Sequence, residues 1–236
     1  MPAALDLCHD SRVVPLPQAA RGARLIALQA VLAEKFPSVP VRQPGVLPTG
    51  IEAIDRVEGG LRLGAMTEIS GTPAGSSLLL AAMLAALAKE KRIGALVDCG
   101  NFFDPGSFQP TCLKRLLWVR CGLPAEAVKA ADLLLRDGNL SLLVIDLQGI
   151  GLRGAVRIPA NTWHRFQRVV EQGNMALAVF SQRPMVEGAS LRISLDWQWN
   201  FPSLADRRTE LLAGLSARVS SRRPLAMPSG LEQRTA

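Results

Sequence analysis

From Leu47 to Ser181 short apolar runs alternate with stretches of helical periodicity, and this alternation constrains the fold more than any other feature of the chain. Apolar runs bounded by turn residues are strands covered on both faces, and strands separated by helices assemble into a mainly parallel sheet. Ala65 to Ser70, Ile93 to Asp98, Leu116 to Arg120, Leu140 to Leu147 and Met175 to Ser181 read as such strands. Ser76 to Lys91, Pro124 to Arg136 and Trp163 to Gln172 read as the helices between them, with Pro124 suited to a first turn. Leu191 to Trp197 and Leu211 to Val219 alternate with no helix between them, which predicts antiparallel strands at one edge near the C-terminus. The expected class is α/β: a mainly parallel central sheet flanked by helices, preceded by an N-terminal helix.

The flanks divide from this core. In residues 1–44 a leader precedes a helix from Arg21 to Phe36, whose Leu25, Leu28, Leu32 and Phe36 share one face and suit it to interaction; Pro37 and Pro40 end it. The core spans 45–220, and 221–236 is a tail without periodicity, expected to be flexible. The net charge of +7, carried mostly by arginine, favours an acidic partner or nucleic-acid phosphate over a basic one. The four cysteines form no C-x-x-C pair and match no zinc pattern with the two histidines, so free thiols and no metal are expected. A charge in MPAALDLCHDSR interrupts what a signal peptide would need, and Leu78 to Ala88 is about half a membrane span; both point to the cytoplasm.

One segment bears on chemistry. EISGTPAGSSLLL, residues 68–80, has the outline of a phosphate loop: extended run, glycine turn, helix. A working loop, G-x-x-x-x-G-K-[ST], turns backbone N–H groups onto phosphate while its lysine reaches the outer phosphates and its hydroxyl holds magnesium. Here Gly71 and Gly75 supply a turn one residue short, Ser76 stands at the lysine position, and Ser77 retains the hydroxyl. Losing the lysine removes a charge-assisted contact of about 1.5–3 kcal/mol. ATP and magnesium are therefore expected to bind weakly or not at all. Asp146, closing LLVID, has the shape of the second metal-site motif; it reads either as a vestige of that site or as a cap on the following turn.

Four further features have plain structural readings beside functional ones. Trp197 and Trp199 share one side of a strand, for base stacking or for edge packing. Trp163, Phe166 and Val170 form a buried helical stripe that leaves Arg165 and Arg168 to solvent. His164 has no partner at ligand spacing, and Cys99 reads as filling a buried slot.

Five segments in order resemble the RecA recombinase core. LPTGIEAIDRVEGGLRLGAMTEISG (47–71) resembles its approach to the phosphate loop, GALVDCGNFFDP (94–105) the strand that carries its catalytic glutamate, and SLLVIDL (141–147) its Walker B strand. NMALAVFSQRP (174–184) and GASLRISLDW (188–197) are similar to the strands on either side of its second DNA loop. The resemblance implies that Asp146 is the Walker B remnant, that Gln182 matches the γ-phosphate-sensing glutamine, and that the water-activating glutamate has become Gly100. It also places Arg153, Arg157, Arg183 and Arg192 at or near shortened DNA loops; with Arg222 and Arg223 of the tail they are candidate DNA or partner contacts. Within this group the chain is most similar to the ImuA family: short, arginine-rich RecA paralogues with poorly kept Walker motifs and a helix before an L-P-T-G-like segment. That resemblance implies a non-enzymatic, pseudo-ATPase accessory of damage-induced (SOS) mutagenesis and translesion synthesis, contacting RecA, an ImuB-like protein and the error-prone polymerase complex, with self-association and DNA contact as further expectations. Two rival readings stand beside it, a weak ATP- and DNA-binding recombinase paralogue and a SulA-like cell-division inhibitor.

Overall fold

The computed structural model describes residues 45–150, 158–196 and 205–221. The expected helix at 21–36, the tail from Arg222, Arg153, Arg157, Trp197 and Trp199 lie outside the described residues.

The described chain opens with β1 (Val46–Leu47), α1 (Glu52–Glu58) and β2 (Leu61–Arg62), and β1 pairs antiparallel with β2. Then follow β3 (Ala65–Ser70), α2 (Pro73–Lys89), β4 (Gly94–Cys99), α3 (Pro110–Leu113), β5 (Leu116–Cys121), α4 (Pro124–Asp137) and β6 (Leu142–Asp146). The last elements are α5 (Ala160–Gln172), β7 (Ala176–Ser181), β8 (Leu191–Asp196), α6 (Arg208–Ala213) and β9 (Ser216–Ser221). Seven strands form the main sheet in the order β5-β4-β6-β7-β3-β8-β9, parallel throughout except for the antiparallel β8–β9 pair. The α/β class, the parallel centre and the antiparallel edge expected from sequence are all present.

Both faces of the sheet are covered, which is why its strands read as unbroken apolar runs. Successive residues of β6 divide between the two sides: Leu142 and Val144 join the core under α2, while Leu143 and Ile145 join the core under α4 and α5. On the second face Trp163, Phe166 and Val170 of α5 form the expected buried stripe, and Arg165 and Arg168 remain exposed. Full burial of side chains such as Phe166 and Phe180 stabilises the fold by about 1.5–3 kcal/mol each. Between Leu78 and Leu84 every residue of α2 is buried. Residues from β3, β6, β7 and β8 share its core, and α3 and α6 pack on it as well.

The sequence pattern missed α1, β1 and β2, and these hold the approach to β3. The Asp55 carboxylate accepts the Thr49 N–H (2.9 Å), the Thr49 hydroxyl (2.7 Å) and the Gly50 N–H (3.0 Å), tying the LPTG turn to α1. Gly60, at φ 127°, would bring a Cβ to 2.2 Å from the Leu47 carbonyl oxygen, so no side chain fits there.

Boundaries differ in three places. The expected strand from Leu211 is helical through Ala213, and β9 begins only at Ser216. Glu210 caps the start of α6 by accepting the Arg207 N–H at 2.8 Å, and the adjacent pair Leu211–Leu212 suits a helix better than a strand whose alternate residues face opposite ways. Helix α5 starts at Ala160, in a polar first turn that periodicity could not mark. Helix α2 starts at Pro73, ahead of the expected Ser76, with consequences for the glycine turn. No helix among the described residues is long and apolar enough to cross a membrane.

Candidate functional site

Strand order brings together three positions that the resemblance singled out. Strand β7, which leads to Gln182, lies between β3, which leads to Gly71, and β6, which ends on Asp146. All three strands point the same way, so their C-terminal ends share one edge of the sheet, where an α/β domain places its ligands.

Only two residues, Gly71 and Thr72, turn β3 into α2. Strand β8 runs against Gly71: a Cβ there would stand 2.7 Å from the Leu195 carbonyl oxygen. Thr72 is the N-cap, its hydroxyl accepting the Gly75 N–H at 3.3 Å, and Pro73 fills the first helical position, where no N–H is needed. The Thr72 carbonyl accepts the Ser76 N–H at 3.1 Å. The amides that a phosphate loop would aim at an anion are thus missing at Pro73 and engaged at Gly75 and Ser76. Gly75, expected in the turn, is already helical, and a Cβ on it would meet only ordinary contacts from 3.4 Å outward.

The lysine position is closed by a residue that sequence reading did not single out. Gln148 is buried, and its Nε2 donates to the Ser76 hydroxyl (2.9 Å) and the Gly71 carbonyl (3.0 Å), with the Ser181 carbonyl at 3.4 Å. One amide therefore joins the glycine turn, the first turn of α2 and the end of β7. Gln182 donates from its own Nε2 to the Gln148 carbonyl at 2.9 Å, which fixes this plug from the other side. Ser77, the retained hydroxyl, is exposed. The one sequence signal for Gln148 was its place two residues beyond Asp146, in the loop that follows the acidic strand end.

Asp146 accepts the Gln148 N–H at 2.9 Å, the turn-capping role. Burial pushes its carboxyl up to about 6; the neighbouring Asp98 charge adds to the rise, and the Gln148 N–H partly offsets it. Asp98, its register partner on β4, is buried and accepts the Phe102 and Phe103 N–H groups at 3.1 Å each and the Trp118 indole N–H at 3.2 Å. Both carboxylates thus hold backbone or side-chain donors of the fold. Gly100, at φ 131°, would bring a Cβ to 2.7 Å from the Gly149 Cα, so the position that the resemblance aligns with a glutamate has no room for a side chain. Cys99 fills a buried slot as expected: burial first, then Cys121 beside it, pushes its thiol up to about 11, away from nucleophilic use.

A buried carboxylate on β3, Glu68, was also passed over. Its Oε1 accepts the Val186 N–H at 2.8 Å and the Ser181 hydroxyl at 3.4 Å, as well as the Met185 N–H. Its Oε2 lies 3.1 Å from Arg192 Nε at an angle that makes the contact ionic rather than a hydrogen bond. Arg192 also donates to the Val186 carbonyl at 2.6 Å. Glu68 and Arg192 together pin the short loop after Gln182, so Arg192 is turned inward, whereas Arg183 is exposed. His164 faces Glu187 at 3.8 Å with both side chains exposed. Among the described residues no group of His, Cys, Asp and Glu is placed to hold a metal ion.

Comparison with models of known protein families gives no match, and comparison with curated proteins gives none either.

Proposed function

We propose that this chain is a non-catalytic RecA-like accessory protein of the ImuA type, acting in damage-induced translesion synthesis through contacts with RecA and an ImuB-like partner. The observation that carries the reading is the Gln148 amide bonded to Ser76 and Gly71, in the place where a nucleotide-hydrolysing relative would need a lysine and a phosphate. The convergence of the glycine turn, Gln182 and Asp146 at one sheet edge supports the RecA-like part of the reading. The crowding at Gly100 supports loss of turnover rather than its relocation. A scaffold that keeps this arrangement while filling it with its own side chains is suited to contact, and the resemblance supplies the partners.

Three measurements test the proposal at different depths. Ser76→Lys should restore no ATP hydrolysis, because the turn is short and Gln148 occupies it; measurable turnover would show the site to be misread. Magnesium–ATP should leave the melting temperature of the wild-type chain unchanged, since a ligand bound only by the native state must raise it. A rise would favour the weak ATP-binding paralogue. Co-purification with RecA and an ImuB-like protein should yield a complex, and association with neither would sink the accessory role.

A further inference from the structure

At the other end of the sheet, where β4 and β5 begin, Ile93, Thr111, Lys114, Arg115, Leu116 and Leu117 line an open groove of about 530 Å³. Strand β5 is the outermost strand of the sheet on this side. Two apolar side chains stand in the groove half-exposed, Ile93 at 44% and Leu117 at 47%. Two cations, Lys114 and Arg115, line the groove with them, and others lie close by in the chain. Lys89, Lys91, Arg92, Lys114 and Arg115 lie along the turn into β4 and the approach to β5, and the single acid among them, Glu90, is held by Arg92 at 2.8 Å. The Arg115 guanidinium donates to the Lys91 carbonyl at 2.8 Å, which joins the two stretches into one wall, and Lys91 sits at φ 58° in the left-handed region. A non-glycine residue adopts that conformation only where its surroundings hold it there, so the turn at Lys91 is kept in shape by the rest of the fold.

We infer that this groove docks an extended acidic segment of a partner protein, its carboxylates meeting Lys91, Lys114 and Arg115 and an apolar side chain filling the space between Ile93 and Leu117. Charge complementarity chooses the sign of the partner, and the apolar floor chooses its class. A nucleic acid would satisfy the cations but leave Ile93 and Leu117 uncovered, and the groove lining holds no aromatic ring on which a base could stack. The site is remote from Gln148 and independent of the function proposed above.

Fluorescence anisotropy of the full chain with short labelled peptides tests the inference, using a Glu/Leu-alternating peptide, a Glu/Ser-alternating peptide and a Lys/Leu-alternating peptide, with oligo-dT as competitor. The Glu/Leu peptide should bind at least about tenfold more tightly than the other two, a gap of about 1.4 kcal/mol. The double variant Lys91→Glu/Lys114→Glu should weaken it by about tenfold, reversal of two rim charges acting additively. Leu117→Ser should weaken it by about fivefold. Both variants alter exposed side chains, and unchanged circular dichroism and melting temperature would confirm that they fold. Equal binding of the Glu/Ser peptide, full displacement by oligo-dT, or insensitivity to the variants would each overturn the inference. So would a wild-type dimer that Leu117→Ser dissociates, since a second copy would then be the occupant.

Discussion

Gln148→Glu isolates the role of a single nitrogen. The substitution keeps the size of the side chain and replaces its donor by an oxygen facing the Gly71 carbonyl and the Ser76 hydroxyl, at the positions where Nε2 now stands 3.0 and 2.9 Å away. The Ser181 carbonyl suffers less, because it retains the Gly71 N–H at 3.3 Å. The Gly71 carbonyl losing its donor costs about 1–3 kcal/mol, the Ser76 hydroxyl can turn to donate to the new oxygen, and a new carboxylate at a site this buried resists ionisation at a further cost. A loss of about 3–5 kcal/mol is expected near pH 8, a fall in melting temperature of roughly 10 °C for a chain of this size. Burial and facing oxygens raise the new carboxyl above its unfolded value, so stability relative to wild type is lost as pH rises through the folded value and recovered at acid pH. Gln148→Ala removes the same donor without adding charge and should cost about 2–4 kcal/mol with no pH dependence relative to wild type. Paired thermal and urea unfolding near pH 5 and pH 8 measures all of this. The reasoning fails if Gln148→Glu stays within about 0.5 kcal/mol of wild type at the higher pH, or if its deficit ignores pH.

Two other substitutions probe the same edge. Asp146→Asn keeps an oxygen for the Gln148 N–H and removes a charge whose carboxyl is raised to about 6. That rise stabilises the native state below the unfolded pKa and is lost as pH climbs through about 6, so the variant should gain on wild type by roughly 3 kcal/mol between acid pH and pH 8; a constant difference in urea unfolding across that range would contradict it. Glu68→Gln leaves Arg192 without its counter-charge and should cost about 2–4 kcal/mol, and the double variant Glu68→Gln/Arg192→Met should recover part of that loss. Strict additivity in the double-mutant cycle would mean the two side chains do not act as a pair.

The strands and their mainly parallel class were legible because a sheet covered on both faces leaves short apolar runs bounded by turn residues and separated by helices. LLVID and ALAVFS show no alternation, and it is their shortness and their flanking turn residues that mark them as strands. The short elements were not legible: β1 and β2 have two residues each, and α1 buries only Ile54 along its length, so periodicity had nothing to register. Their stability comes from Asp55 and from backbone closeness at Gly60, both invisible to pattern. The same holds at the site. Ser76 could be recognised as a missing lysine, but its replacement partner, Gln148, lies 72 positions away, and no local rule links the two. Glu68 was hidden in plain sight inside EISG, because a buried charge in a central strand makes sense only once Arg192 is brought beside it by β8.

The residues that carry the resemblance at the start of the core, Thr49, Gly50, Asp55 and Gly60, form a staple that holds the chain on its way into β3. They would be required by any chain with this path, whatever it binds. Their presence therefore speaks to architecture, whereas the positions that would speak to chemistry are Ser76, Gly100 and Asp146. Each of these is engaged or crowded from within: Ser76 by an amide, Gly100 by the Gly149 backbone, Asp146 by a turn N–H. Here they are filled by native contacts, which ties this edge of the sheet into the stability of the fold.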